Sequence, residues 1–195
     1  MRRRVLLAAL AFTLAGCERV ADGPSEAFLA ARAKGAPAER EWRVYHGDRE
    51  GRQWSPLQQI DRGNVARLAP AWEYAAGEAP GGGTQIQCNP LVVEGVLYGI
   101  SPALAAFALD AVTGAELWRF APDDEVNGTI APARGLVFWG DGAGDERILF
   151  GRGHLLWALD ARSGRPIAGF GDEGALDLRD GLAEERPDDF VVATT

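Results

Sequence analysis

The sequence predicts an all-β repeat fold, and three observations carry that reading. First, one segment occurs twice, fifty residues apart: Ala108-Leu109-Asp110-Ala111-Val112-Thr113-Gly114-Ala115-Glu116-Leu117-Trp118 and Ala158-Leu159-Asp160-Ala161-Arg162-Ser163-Gly164-Arg165-Pro166-Ile167-Ala168. Second, the 25 glycines and 11 prolines are spread along the chain, as turn-rich β proteins place them. Third, short apolar runs of strand length alternate with turn residues over much of the chain. A period of this size belongs to propeller blades or solenoids. Four short strands per period make the unit a blade, so a partial β-propeller of about two to three four-stranded blades is expected.

The elements follow in order. Arg2, Arg3 and Arg4 form a positive start, and residues 5–14 form an apolar run too short to cross a bilayer as a mature helix, which reads as an export signal. Leu14-Ala15-Gly16-Cys17 has the pattern of a bacterial lipobox, so residues 1–17 are expected to be a lipoprotein signal with Cys17 as the lipidated first mature residue. Glu18 after it points to the outer membrane facing the periplasm. Residues 18–41 are expected to be a tether, with a short helix possible in the Ala-rich stretch 25–40. Folded sequence is expected from Trp42, with a strand at Trp72-Glu73-Tyr74. One blade is expected at 91–93, 96–100, 105–109 and 116–120, and a second at 136–139, 147–151, 155–159 and 166–170. A third begins at 190–195, where the sequence ends; the chain is therefore expected to be part of a longer propeller.

Each repeat has a local mechanism. The Asp carboxylate can accept from backbone N–H groups just beyond it, the Thr or Ser hydroxyl adds a further partner, and the Gly takes a positive φ. Trp118, beyond the first turn, is expected to lie against the next blade; the second copy has Ala168 in its place.

Composition excludes several functions. At 195 residues and 47% hydrophobic content the chain can bury a core. Its net charge of −8 leaves no basic surface for phosphates, so no nucleic-acid partner is expected. His46 and His154 lack ligand spacing, and lipidation of Cys17 leaves Cys88 without a disulfide partner. The stretch Asp141-Gly142-Ala143-Gly144-Asp145 lacks the alternating oxygens of a calcium loop and is expected to be a hairpin tip. Gly81-Gly82-Gly83 lacks the residues of a phosphate loop and reads as a bend.

Over residues 42–195 the sequence resembles the pyrroloquinoline quinone (PQQ) dependent alcohol and glucose dehydrogenases. The resemblance rests on Ser55-Pro56-Leu57-Gln58-Gln59-Ile60 with Asn64-Val65, on Asn89-Pro90-Leu91-Val92-Val93-Glu94-Gly95-Val96-Leu97-Tyr98, on the repeat at 108–118, and on Arg134-Gly135-Leu136-Val137-Phe138-Trp139. It implies an eight-bladed propeller holding PQQ above calcium in its channel, an alcohol or sugar as substrate, and a quinone or cytochrome as electron acceptor. It also implies that Arg134 faces the quinone oxygens and carboxylates. Gln87 takes the place of a glutamate that contacts the quinone in alcohol-oxidising members. Gly128-Thr129 stands where those members have paired cysteines, which points away from a methanol-type pocket. The calcium ligands and the catalytic aspartate belong to later blades, so no catalytic or metal residue is expected here, and the chain alone is expected to be inactive. A non-enzymatic propeller lipoprotein of outer-membrane protein assembly is the alternative; the 54–60 and 134–139 segments speak against it.

Overall fold

In a computed structural model the described residues are 23–33, 41–48, 50–77, 85–122 and 134–180. They form two four-stranded antiparallel meanders, each strand pairing with the next in sequence. The first blade contains β1 (Leu91–Val93), β2 (Val96–Ile100), β3 (Ala106–Asp110) and β4 (Glu116–Phe120). The second contains β5 (Val137–Gly140), β6 (Glu146–Arg152), β7 (Leu155–Asp160) and β8 (Ala175–Asp177). Seven of the eight strands expected in these blades form within a residue or two of their expected bounds. The residues of the expected third blade, 190–195, and those of Gly81-Gly82-Gly83 and Cys17 lie outside the described residues.

The repeated turn builds the same structure twice. Asp110 Oδ1 accepts from the backbone N–H groups of Val112 (2.8 Å) and Thr113 (3.0 Å), and Asp160 Oδ1 from those of Arg162 (3.2 Å) and Ser163 (2.8 Å). The Gly114 N–H donates to the Asp110 carbonyl at 2.8 Å, and the Gly164 N–H to that of Asp160 at 2.9 Å. Both glycines have positive φ, +73° and +69°, a conformation costly for any residue with a Cβ. At 141–145, Asp141 Oδ1 closes the β5–β6 hairpin tip by accepting from Ala143 (2.7 Å) and Asp145 (3.0 Å).

The expected outer strand at 166–170 does not form. Pro166 has no N–H to donate and makes only an isolated bridge to Leu159. After Ile167 donates to the Ala158 carbonyl (2.9 Å), the chain turns, with the Phe170 N–H bonded to the Ile167 carbonyl at 2.8 Å. The outer edge of β7 is completed instead by β8, in register Leu155 with Asp177 and Trp157 with Ala175. The expected strand at Trp72-Glu73-Tyr74 is present as an extended segment without a ladder partner among the described residues.

The core lies between the blades. Leu91, Val93, Val96, Tyr98 and Ala108 of the first meet Ile148, Phe150 and Leu159 of the second. Trp118 joins them: its indole N–H donates to the Ala161 carbonyl at 3.0 Å, and its ring covers Gly164 so closely that a Cβ there would sit 2.5 Å from Trp118 Cε3. A helix, α1 (Glu26–Ala33), packs on the same core. Ser25 Oγ caps it by accepting from the Phe28 N–H at 3.1 Å. Burial of Phe28 and Ala31 makes this helix part of the packed unit, which therefore begins before Trp42.

Candidate functional site

The two blades bring their first strands together at one end. Asn89, just ahead of β1, bridges in parallel to Gly135, just ahead of β5. The Asn89 backbone N–H donates to the Arg134 carbonyl at 3.0 Å, and its side-chain amide donates to the same oxygen at 3.2 Å. A third wall comes from further up the chain. Trp42 exchanges both backbone hydrogen bonds with Val92, at 2.8 and 3.0 Å, and this pairing carries residues 43–45 along the free edge of β1.

The three pieces enclose a cleft of about 490 Å³. Its polar groups are Arg43, Tyr45, Gln87, Asn89 and Arg134, and Leu136 and Val137 supply an apolar wall. Thus Gln87 and Arg134, the two cofactor candidates, open on one space, and both side chains are exposed to it. Gln87 donates its amide to Gln85 Oε1 at 2.8 Å, which leaves its own carbonyl directed by that contact. Arg134 makes no ion pair among the described residues, whereas Arg43 is held by Glu41 and by Glu94 (3.3 Å).

Among the described residues no carboxylate lines the cleft, in a chain of net charge −8. The donor set is two guanidinium groups, two amides and a phenol. It suits a planar, multiply carboxylated ligand: guanidinium forks pair with carboxylates, amides bond carbonyl oxygens, and the apolar wall accepts a ring face. PQQ has that chemistry, so the residues present fit it.

Arg43, Tyr45 and Asn89 were not singled out by the sequence. Asn89 opens the motif at 89–98, but Arg43 and Tyr45 reach the cleft only through the Trp42–Val92 pairing, for which the sequence has no short-range signal. His46 lies on the exterior with Nδ1 2.9 Å from Gln53 Nε2, and His154 sits 3.8 Å from Asp177. Among the described residues no three His, Cys, Asp or Glu side chains converge as a metal site. Gly128-Thr129 lies outside the described residues.

Residues 42–195 match the PQQ family of glucose/ethanol/alcohol dehydrogenase β-propeller domains. The chain belongs to this family. It is 33% identical over 138 residues to the 1-butanol dehydrogenase (cytochrome c) of Thauera butanivorans, covering 65% of this chain and 18% of that protein. It is 29% identical over 169 residues to the quinoprotein glucose dehydrogenase of Escherichia coli K12, covering 77% and 21%. The crystal structure of the quinohemoprotein alcohol dehydrogenase from Comamonas testosteroni shares the fold, with a TM-score of 0.60 at 23% identity over 78% of this chain and 24% of that one. The chain therefore spans less than a quarter of the length of these relatives.

Proposed function

We propose that residues 1–195 are the N-terminal part of an exported PQQ-dependent dehydrogenase that oxidises an alcohol or a sugar, and that Arg134 and Gln87 hold the quinone. The observation that carries this reading is the convergence of these two side chains, through the Asn89–Gly135 bridge, on one cleft whose described lining holds no carboxylate. The Arg134 guanidinium pairs with a carboxylate of the cofactor. Gln87 contributes a hydrogen bond without charge, and Leu136 and Val137 exclude water from one side of the ring. When bound, PQQ supplies a two-electron acceptor for hydride from the carbon bearing the substrate hydroxyl. Calcium, its ligands and the base that takes the hydroxyl proton fall to later blades in this reading. A cytochrome or quinone acceptor accords with the cytochrome c in the name of the Thauera relative. The family match over 42–195 favours the dehydrogenase over the scaffold alternative.

The test is quinone titration of the complete polypeptide. Arg134→Ala is expected to weaken PQQ binding by about 1.5–3 kcal/mol, the worth of hydrogen bonds to a charged group, and Gln87→Ala by less. Equal affinities in Arg134→Ala and the parent would remove Arg134 from the site; no uptake by the parent would turn the reading to the scaffold. The same proposal anchors the mature protein by a lipid on Cys17, facing the periplasm. Cys17→Ser is expected to shift it from the membrane fraction to the soluble one, and an unchanged distribution would refute the anchor.

A further inference from the structure

Helix α1 stands at the opposite end of the blades from the cleft. Asn89 and Arg134, which build the cleft, precede β1 and β5, and the parallel bridge of Asn89 to Gly135 starts both strands from the same end. The β1–β2 turn at Glu94-Gly95 and the β5–β6 tip at 141–145 therefore share the other end. Helix α1 is seated there. Its Ala31 carbonyl lies so close to Gly95 that a Cβ on that glycine would sit 2.9 Å away, and Arg32 reaches both Glu94 and Glu146, the first residue of β6. At about 3.3 Å per residue, the seven residues of β6 put roughly 23 Å between this end and the Gly153-His154 turn at the cleft end.

The helix belongs to the packed unit from its cap onward. Ser25 Oγ accepts from the Phe28 N–H, and Phe28 and Ala31 are buried in the core between the blades. Only seven residues, 18–24, stand between Ser25 and Cys17, and the eight peptide links that join them span about 29 Å at most. The side of α1 turned away from the blades suits what so short a link brings near. Ala27, Leu29, Ala30 and Ala33 are exposed, Leu29 by 53%, and none of them carries charge in a chain of which 25% of residues are charged. The one basic side chain of the helix, Arg32, is turned inward onto Glu94 and Glu146, which leaves Glu26 as its only outward charge.

We infer that helix α1 rests its outer face on the lipid bilayer, so that the protein stands with the β1–β2 turn end toward the membrane and the cofactor cleft on the far side. The inference rests on the Cys17 lipid anchor proposed above and adds an orientation to it. The anchor makes the contact intramolecular: a short link holds the helix beside the bilayer at an effective concentration of about millimolar, so the four apolar side chains need not bind lipid by themselves. Leu29 then enters the interface, where an uncharged apolar face is favoured over the acidic surface elsewhere on the chain. The length of the strands keeps the cleft off the surface, and ligand reaches Arg134 from water rather than from lipid.

The test uses the complete, lipidated polypeptide in vesicles of phosphatidylethanolamine and phosphatidylglycerol that contain tritiated phospholipid. The photoreactive residue p-benzoylphenylalanine replaces Leu29 or, for comparison, His154. Leu29 is exposed and His154 lies in the short β6–β7 turn at the cleft end, so neither substitution opens the core. Irradiation is expected to attach lipid several-fold more to the protein altered at Leu29 than to the one altered at His154. Equal labelling of the two proteins while both float with the vesicles would overturn the orientation and leave the anchor standing. Adducts from position 29 to a second protein molecule, in place of lipid, would do the same. A parent protein that does not float with the vesicles would overturn the anchor and the orientation together. None of these measurements needs cofactor, so failure here is also distinct from failure of the quinone reading.

Discussion

Trp118 shows how one side chain fixes the relation of two blades. Its ring lies on Gly164 while its N–H is paired with Ala161, so the apolar body is buried and the polar tip satisfied. Gly164→Ala meets two penalties, the strained φ of +69° and a Cβ 2.5 Å from the indole; Gly142→Ala meets only strain, at φ +75° with nothing within 4 Å. Gly142→Ala is expected to cost about 1 kcal/mol and Gly164→Ala about 1–3 kcal/mol more, read as urea midpoints of the complete polypeptide. Equal midpoints would mean that the Trp118 contact yields without cost. At this scale the sequence was legible wherever a residue acts within its own turn: Asp110, Asp160 and both glycines do what their spacing says. It was opaque where the partner is distant. Nothing near Trp72 announces Gly114, and nothing near Tyr45 announces Arg134.

Helix α1 is the element that ties the blades together from outside. Arg32 pairs with Glu94 in the β1–β2 turn of the first blade and with Glu146 of the second, and Arg162 approaches Glu146 at 3.4 Å. Burial pushes the Glu146 carboxyl up, but the Arg32 hydrogen bond and the charges of Arg32 and Arg162 outweigh it and hold the group below its ordinary value. A carboxyl lowered in the folded state binds fewer protons there than when unfolded. Its contribution is therefore full above the ordinary glutamate range and is lost as pH falls through the folded value. Glu146→Gln is expected to flatten the acid side of the stability profile; an unchanged profile would show that the cluster is screened. Phe28→Ala, which empties a fully buried site, is expected to cost about 3 kcal/mol or more and to make residues 26–33 the first site of proteolysis. The Ala-rich composition allowed a helix here, yet with only Phe28 and Ala31 buried there was too short a stripe to say that it docks. The outer strand of the second blade was misplaced for a related reason: the apolar spacing of 166–170 looks strand-like, but Pro166 withholds the N–H and hydrogen bonds inside the turn at 167–170 take the rest.

At the scale of the molecule, the repeat made two blades legible but not what packs on the first, because the covering residues 72–76 resemble a repeat only through Trp72 and Tyr74. The same geometry determines how this stretch of chain behaves by itself. Val137 and Trp139 of β5 are 45% and 44% exposed, and Trp54 and Ile60 add exposed apolar area on the approach to Trp72. Patches of this kind are tolerated on a soluble monomer only when a neighbour covers them. Residues 18–195 alone have no such neighbour in this reading, and the edge of 72–77, which has no ladder partner among the described residues, offers a template for other chains. Expressed without the signal, this piece is expected to bind a hydrophobic dye such as anilinonaphthalene sulfonate and to self-associate, with broad melting, whereas the complete polypeptide binds little dye and melts sharply. A sharp, cooperative transition from a dye-free monomer of residues 18–195 would show that two blades and helix α1 suffice.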